Sequence, residues 1–546
     1  MRTAHVDTFV RDRLPPPEQQ PEFLFDLPEL HYPERLNAAV ELIDTGDPDA
    51  LAMVNDAGRW SYREMRDLSD RIARLLAEEE GLVPGNRVLL RGPNGAMMFA
   101  AWLGVLKAGG VVVATMPILR AGEIRTILER AQVSHAIVDS RCMDDFAPAA
   151  SEKGLIRSLL TYDGDAGTGE LEDRLKEVSL GFAAVDTHRD DVALVAFTSG
   201  TTGKPKGCVH YHRDVLASAD SFARYVLKPE PGDRWACSAP IAFTFGLGMI
   251  LIFPWRFGGT AVTIEQPGPK PLLEAIARYR VTALATAPTA YKAMLGMIGD
   301  YDFSSLRTCL SAGEHLPAAT SDAWNGRTGI RIVDGIGATE MMHIFISASG
   351  DEIRPGATGK AVPGYRATIL DEHNRPLPHG TGRLAVKGPT GCRYFDDERQ
   401  TKYVVDGWNV TGDTYRADED GYFWFVARSD DMIISAGYNI AAPEVENALY
   451  AHPAVRECAV IGVPCEERGR RVKAYVVAED GHEADDALAL ALQQHVKASI
   501  APYKHPREIE FVSTLPKTAT GKLQRYALRE RQAGSNPNQI EQGGSA

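Results

Sequence analysis

Val192-Ala193-Leu194-Val195-Ala196-Phe197 runs straight into Thr198-Ser199-Gly200-Thr201-Thr202-Gly203-Lys204-Pro205-Lys206-Gly207. The first six residues are a short continuous apolar run of the kind that forms a buried strand. The next ten hold three glycines, four hydroxyls and two lysines. Glycines let backbone amides approach an anion closely, hydroxyls donate hydrogen bonds, and ammonium groups supply charge. The loop therefore has the chemistry of a polyphosphate cradle. It is not a P-loop, which spaces its first glycine further from Gly-Lys and continues with Ser or Thr. Here two residues separate Gly200 from Gly203, and Pro205 follows Lys204. Proline disfavours the helical conformation for the residue before it, so no helix is expected to start at Lys204.

The rest of the chain is arranged around this loop. With 546 residues it is too long for one ordinary domain. Apolar residues make up 44% and charged residues 24%, the balance of a globular protein with a sizeable core. A net charge of −14 argues against nucleic acid as a partner, which needs a basic face. Seven scattered cysteines form no CxxC pair, so no zinc site is expected and the thiols read as reduced and cytoplasmic. Cys208 reads as a small buried thiol. The N-terminus carries Arg2, His5, Asp7, Arg11 and Asp12 and lacks the apolar core of a signal peptide. The longest apolar stretch, 97–119, is broken by Lys107, Gly109 and Gly110. It reads as a buried helix followed by the strand Val111–Thr115, not as a membrane span.

Residues 1–30, with Pro15-Pro16-Pro17, are expected to form an extended N-terminal arm. Beyond them helical and strand patterns alternate. Residues 61–76 form an amphipathic helix with Ser61 as N-cap and Glu64 as its capping-box partner. Residues 87–90, 135–138 and 283–285 read as strands; 97–106, 272–280 and 290–298 read as helices. The fold class is α/β, with largely parallel sheets. A large N-terminal domain of layered α/β subdomains spans 31–428. After about residue 365 short strands dominate (366–370, 382–386, 422–426), so 365–428 reads as a small β-rich subdomain. A mobile α+β C-terminal domain follows at 429–530, with a helix opened by Pro443, strands at 457–463 and 472–478, and a helix at 485–500. Residues 531–546 read as a disordered tail.

Four further groups carry chemistry: Ser311-Ala312-Gly313-Glu314 with Asp334-Gly335-Ile336-Gly337-Ala338-Thr339-Glu340; Thr411-Gly412-Asp413 with Arg428; Ser435-Ala436-Gly437-Tyr438-Asn439; and Pro516-Lys517-Thr518-Ala519-Thr520-Gly521-Lys522-Leu523. Together with the loop, these strings resemble, in the same order, the motifs of the adenylate-forming superfamily. That superfamily contains acyl- and aryl-CoA ligases, peptide-synthetase adenylation domains and firefly luciferase, and the resemblance spans about residues 30–530. It implies that a carboxylate is joined to ATP as an acyl-AMP and then passed to a thiol. ATP, Mg²⁺ and coenzyme A are the implied cofactors and co-substrates. Thr198, Ser199, Gly200, Thr201, Thr202, Gly203 and Lys204 would hold the phosphates. Ala312, Gly313 and Glu314 would line the adenine, and Asp334 and Gly335 would belong to the same ATP/AMP site. Thr339 would contact the α-phosphate and Glu340 would bind Mg²⁺, which commonly takes one or two carboxylates plus phosphate oxygens. Asp413 would accept the ribose hydroxyls and Arg428 would bind ribose and phosphate. Lys522 would be the adenylation lysine, Asp430 the hinge, and Gly437 and Tyr438 CoA contacts; Arg470 and Arg471, in the densest basic cluster of the small domain, are the expected contacts for the CoA phosphates.

The implied acyl pocket lies between Ile241-Ala242-Phe243-Thr244-Phe245-Gly246-Leu247-Gly248 and Met341-Met342-His343-Ile344-Phe345, with Gly337 beside it. The first run lacks the aspartate that peptide-synthetase domains place there for an α-ammonium group. Phenylalanine and methionine walls suit a flat apolar ring. Together with Leu30-His31-Tyr32-Pro33-Glu34-Arg35-Leu36-Asn37, these strings resemble benzoate-CoA ligases, especially 2-aminobenzoate-CoA (anthranilate) ligases. In this reading Phe243, Thr244, Phe245, Gly246, Gly337, His343 and Ile344 line the pocket. The Thr244 hydroxyl either accepts a bond from an ortho amino group or packs. The expected partners are a small aromatic carboxylate, ATP and CoA, with no nucleic acid and no membrane, and a chain acting as monomer or homodimer. The alternatives are an enzyme loading a separate carrier protein and a ligase for another small carboxylic acid.

Overall fold

The computed structural model describes residues 3–152, 154–198, 205–313, 316–428, 431–435, 438–465, 469–500, 502–517 and 523–534. They divide into two compact units. One comprises 1–368 and 385–411; the other comprises 369–384 and 412 onward.

The first unit is built on two sheets. One has six strands in the order Ser158–Tyr162, His135–Asp139, Arg87–Arg91, Val111–Thr115, Val192–Thr198, Lys206–Tyr211. The first five run parallel, and the last returns antiparallel. The other has nine strands, with a parallel centre of Ile332–Gly337, Thr308–Ser311, Ala283–Thr286, Arg234–Cys237, Thr260–Val262 and Leu51–Val54. Antiparallel strands close both its edges. Strands such as Arg87–Arg91 and Ala283–Thr286 are buried along their whole length, as expected when helices cover both faces.

The apolar stretch that opens at residue 97 resolves as expected. Ala96–Lys107 is a helix in which every residue is buried, followed by the strand Val111–Thr115. A helix apolar all round belongs between layers. Among the described residues no helix is long and apolar enough to cross a membrane. Lys107 is fully buried at the end of this helix and donates to Asp44 (2.8 Å) and Asp70 (2.7 Å). Against it packs Tyr62–Arg74, whose N-terminus carries the expected capping box: Ser61 N–H donates to Glu64 Oε2 at 2.7 Å, and Glu64 N–H donates to Ser61 Oγ at 3.2 Å. The expected helices at 272–280 and 290–298 are Pro269–Tyr279 and Pro288–Leu295. Each starts earlier, because Pro in the first turn costs no helical hydrogen bond. The N-terminal segment is not simply extended. It has three short helical turns, Arg11–Arg13, Pro17–Gln19 and Pro28–Leu30, and is anchored by buried Val10, Leu24 and Leu30.

In the second unit, Val455–Cys465 pairs antiparallel with Gly469–Ala478, which pairs parallel with Glu508–Phe511. Helices Ala442–Tyr450 (Pro443 in its first turn) and Asp486–Ser499 cover this sheet with a core of Val445, Leu449, Val460, Val476, Leu492 and Val496. Arg525 binds Glu446 (2.6 Å) and Asp431 (3.0 Å), which also receives Arg529 (3.0 Å).

Removing the Lys107 ammonium strands the buried Asp70 carboxylate and takes the partner from the half-buried Asp44. Lys107→Ala is expected to destabilise the protein by about 3–5 kcal/mol, seen as a lowered urea midpoint. Lys107→Ala combined with Asp70→Asn should recover part of that loss.

Candidate active site

Thr198 ends its strand opposite Lys206, and Phe197 faces Gly207, so the stretch after the motif is an antiparallel strand and not a helix. Ser199, Gly200, Thr201, Thr202, Gly203 and Lys204 lie outside the described residues. The third glycine of the motif serves packing: a Cβ at Gly207 would collide with the Phe395 ring. Cys208 is fully buried, as expected.

The two small-residue groups meet. Thr308–Ser311 and Ile332–Gly337 are adjacent parallel strands with Ser311 opposite Asp334; Ala312-Gly313 leave the sheet there, while the second strand runs on through Gly335–Gly337 against Ile344–Ser347. Ligands of such sheets bind outside the carboxyl ends of the strands. Gly313 has φ +91°, a conformation that favours glycine. Burial pushes the Asp334 carboxyl up to about 7, against the N–H of Gly335, and its backbone carbonyl accepts from Ser347 Oγ at 2.6 Å. Glu314 lies outside the described residues.

Beyond Ala338 the chain makes one tight turn, Thr339–Met341. Glu340 is buried, and its Oε1 accepts from Tyr394 Oη. Lys206 Nζ donates to the same Tyr394 oxygen at 2.9 Å and stands 3.7 Å from Glu340. The Thr339 carbonyl accepts from His210 Nε2 at 2.7 Å, and the Met341 carbonyl accepts from Thr390 Oγ1 at 2.7 Å. Met342 follows at φ +65°, buried, in a conformation that costs a non-glycine residue about 1–3 kcal/mol.

Next comes His343, 2% exposed. Its ring lies between Phe222 (5.4 Å, 29°) and Phe245 (5.7 Å, 25°), with Phe253 edge-on at 4.6 Å. Gly248 leaves the room for it, since a Cβ there would collide with the imidazole. Burial lowers the His343 pKa to about 3, with the Phe245 carbonyl pulling the other way, and its Nδ1 has no partner among the described residues. Thr244 opens the short helix Thr244–Leu247 and is buried, and its hydroxyl makes no hydrogen bond to the described residues. Phe243 and Phe245 are half-buried. Gly246 packs against the carbonyls of Ala239 and Pro240, and Gly337 against the backbone of His343 and Ile344.

In the second unit Asp413 and Arg428 sit opposite each other on paired strands, with Nη1 3.5 Å from Oδ1. Gly412, at φ +80°, precedes them. The basic cluster divides by strand alternation. Arg471 and Lys473 share one face, where Arg471 pairs with Glu508 (2.7 Å) and Lys473 with Glu508 (2.7 Å) and Glu510 (2.8 Å). Arg470 is exposed on the other face. Tyr438 lies in Tyr438–Ala441, paired with Met432–Ser435. Asp430, Gly437 and Lys522 lie outside the described residues.

Sequence reasoning missed Tyr394, Thr390 and His210. His210 stood two residues past Cys208, but nothing local ties any of the three to residue 340. The donor set at Glu340 fits Mg²⁺ held with substrate phosphates. It offers one oriented carboxylate, and among the described residues no group of three His, Cys, Asp or Glu is placed to cage a metal.

A strand-end site built on largely parallel sheets defines a class. AMP-binding enzyme sequences match residues 42–394, and the AMP-binding enzyme C-terminal domain matches 444–522. The chain belongs to the AMP-binding enzyme family, within which its relatives are AMP-forming acid–thiol ligases. It is 37% identical over 516 residues to a benzoate–CoA ligase of Thauera aromatica, covering 92% of this chain and 97% of that one. It is 34% identical over 493 residues to the mitochondrial acyl-coenzyme A synthetase ACSM3 of Homo sapiens, covering 87% and 83%. Among solved structures, an anthranilate CoA ligase in complex with anthranoyl-AMP matches with a TM-score of 0.88 at 33% identity, covering 93% of this chain and 99% of that one. A benzoate CoA ligase from Burkholderia xenovorans LB400 matches with 0.83 at 31% identity, covering 90% and 99%.

The folded His343 stays neutral where an unfolded imidazole binds a proton. Its contribution to stability is present above about pH 6.5 and is lost as pH falls toward 3. His343→Phe is expected to flatten the acid side of a plot of thermal midpoint against pH.

Proposed function

We propose that the protein is an ATP- and Mg²⁺-dependent aryl-CoA ligase acting on 2-aminobenzoate or benzoate. One observation carries the reading: the turn bearing Glu340 runs within three residues into His343, whose ring is layered with Phe222 and Phe245. A carboxylate suited to the metal of MgATP thus adjoins a wall of flat rings. The similarity to benzoate and anthranilate CoA ligases supports the same class of acid.

The aryl carboxylate attacks the α-phosphorus, the bond to the β-phosphate oxygen breaks, and pyrophosphate leaves. No general base is needed, because the acid is already ionised at neutral pH. Residues 198–204 cradle the phosphates, Thr339 contacts the α-phosphate, and Lys522 places an ammonium where negative charge gathers. Bound at Glu340, Mg²⁺ supplies charge neutralisation on the phosphates. Ala312, Gly313 and Glu314 line the adenine, Asp334 and Gly335 belong to the same site, and Asp413 with Arg428 holds the ribose. A carboxylate suits a vicinal diol because it accepts two bonds without a competing donor. In the second half-reaction, after a rotation about Asp430, the CoA thiolate attacks the mixed anhydride and AMP leaves. Gly437, Tyr438, Arg470 and Arg471 are the proposed CoA contacts. The Thr244 hydroxyl, unpaired among the described residues, is the proposed acceptor for an ortho amino group.

Pyrophosphate release should be measured with ATP, Mg²⁺ and free CoA across benzoate, 2-aminobenzoate, 2-hydroxybenzoate, 4-hydroxybenzoate, phenylacetate and hexanoate. The expected peak in kcat/KM is at 2-aminobenzoate, with Thr244→Val reducing the preference over benzoate. A peak at hexanoate would sink the aromatic reading, and adenylation without transfer to free CoA would point to a carrier-protein acceptor. Lys522→Ala should slow aryl-AMP formation by about 10²–10³-fold; an unchanged rate would remove Lys522 from the first step.

A further inference from the structure

Three successive residues of one turn are each gripped from outside it. The Thr339 carbonyl accepts from His210 Nε2 at 2.7 Å, Glu340 Oε1 from Tyr394 Oη, and the Met341 carbonyl from Thr390 Oγ1 at 2.7 Å. The donors come from the strand Lys206–Tyr211 and from the segment 390–394, each far from residue 340 in the chain. Each donor is itself held. Thr390 has no exposed surface and accepts from Tyr365 Oη at 2.9 Å. Tyr394 Oη accepts from Lys206 at 2.9 Å, and the Tyr394 N–H donates to Gln400 Oε1 at 2.9 Å. His210 has Asp214 Oδ2 3.8 Å from its Nδ1, and Asp214 accepts from Arg393 at 2.7 Å. Between Thr390 and Tyr394 the backbone is tied again: Cys392 N–H donates to Asn409 Oδ1 at 2.8 Å, and the Arg393 carbonyl accepts from Val209 N–H at 2.9 Å.

Stability alone does not ask for this. A single tight turn closes its own hydrogen bond, here Met342 N–H to the Thr339 carbonyl at 3.1 Å, and three further grips would be redundant. What they determine together is the direction of one side chain. The backbone is held at the carbonyls before and after residue 340, and one carboxylate oxygen is taken by a tyrosine buried at 1% exposure. Among the described residues no side chain hydrogen-bonds Oε2. The Lys206 ammonium stands 3.7 Å from that same oxygen, Oε1, and adds its charge to the hold. The tyrosine hydroxyl links the two, accepting from the lysine and donating to Glu340 Oε1.

We propose that Tyr394, supported by Thr390 and His210, is a positioning residue for Glu340, holding its carboxylate so that the second oxygen is presented to the divalent cation that accompanies ATP. This rests on Glu340 being the Mg²⁺ ligand. Partners that orient a metal-binding carboxylate commonly contribute about 10–100-fold to metal affinity.

The test is binding rather than turnover. Isothermal titration of ATP into the full-length protein without acid or CoA, at graded Mg²⁺, gives the Mg²⁺ concentration for half-maximal binding. Tyr394→Phe, which removes only the hydroxyl, is expected to raise that concentration by about tenfold or more, with a thermal midpoint close to wild type and with metal-free ATP binding unchanged. Glu340→Gln run in parallel separates the two layers. If Glu340→Gln raises the Mg²⁺ requirement and Tyr394→Phe does not, the positioning role is overturned and the metal-ligand reading stands. If Glu340→Gln has no effect, the metal-ligand reading fails and this inference falls with it. Should Tyr394→Phe not fold, Thr390→Val against Thr390→Ser supplies the same comparison: the hydroxyl-bearing variant should keep the wild-type Mg²⁺ requirement and the valine raise it, and equal values in the two would overturn the proposal.

Discussion

The large unit closes around one buried ion pair, Asp214 with Arg393, neither side chain exposed at all. Burial alone would push the Asp214 carboxyl up; the Arg393 charge and His210 instead hold it well below the usual range. The guanidinium is also sandwiched, 4.1 Å from the ring of Phe23 and 4.1 Å from that of Tyr211. Three stretches distant in sequence converge there: the N-terminal segment, the strand Lys206–Tyr211 with the helix His212–Ser218 that follows it, and the segment around residue 393. Breaking such a pair leaves an uncompensated buried charge, at about 3–5 kcal/mol. The pair therefore selects one arrangement of these three stretches far more than it adds to net stability.

The site inherits its order from that closure. His210 reaches Thr339 because its strand is pinned by Arg393 and Asp214, and Tyr394 reaches Glu340 because it is the next residue along. A segment that scaffolds the core on one side thus presents donors to the strand-end turn on the other. The strained backbone at Met342 fits the same picture, since an unfavourable φ persists only where the surroundings over-determine it. Past that residue the chain changes character at once, from a polar turn to a ring buried among phenylalanines.

Much of the fold was legible in advance. The capping box at Ser61 and Glu64, the buried helix before Val111, the parallel strands and the Pro443 helix start all follow from rules that act within about four residues. The helix starts at Pro269 and Pro288 are hidden in the sequence, because a proline in the first turn looks like a breaker until the helix after it is seen. Gly207 sits in a motif with the chemistry of an anion cradle, yet its missing Cβ makes room for Phe395, 188 residues away in the chain. No local pattern encodes that contact.

By itself the sequence determined the kind of chemistry: a glycine and hydroxyl loop after a buried strand, small residues at strand ends, a carboxylate in a tight turn and an aromatic run with no acidic residue. These are properties of residue type and short spacing. Only the tertiary structure decided which of them meet. It set Ser311 beside Asp334 through a parallel register, paired Asp413 with Arg428, put Arg470 and Arg471 on opposite faces of a strand, and brought His210, Thr390 and Tyr394 onto one turn. The reason is physical. Periodicity and capping depend on neighbours within a turn or two of chain, whereas a hydrogen bond between residues 54 positions apart exists only once the sheets have closed around it.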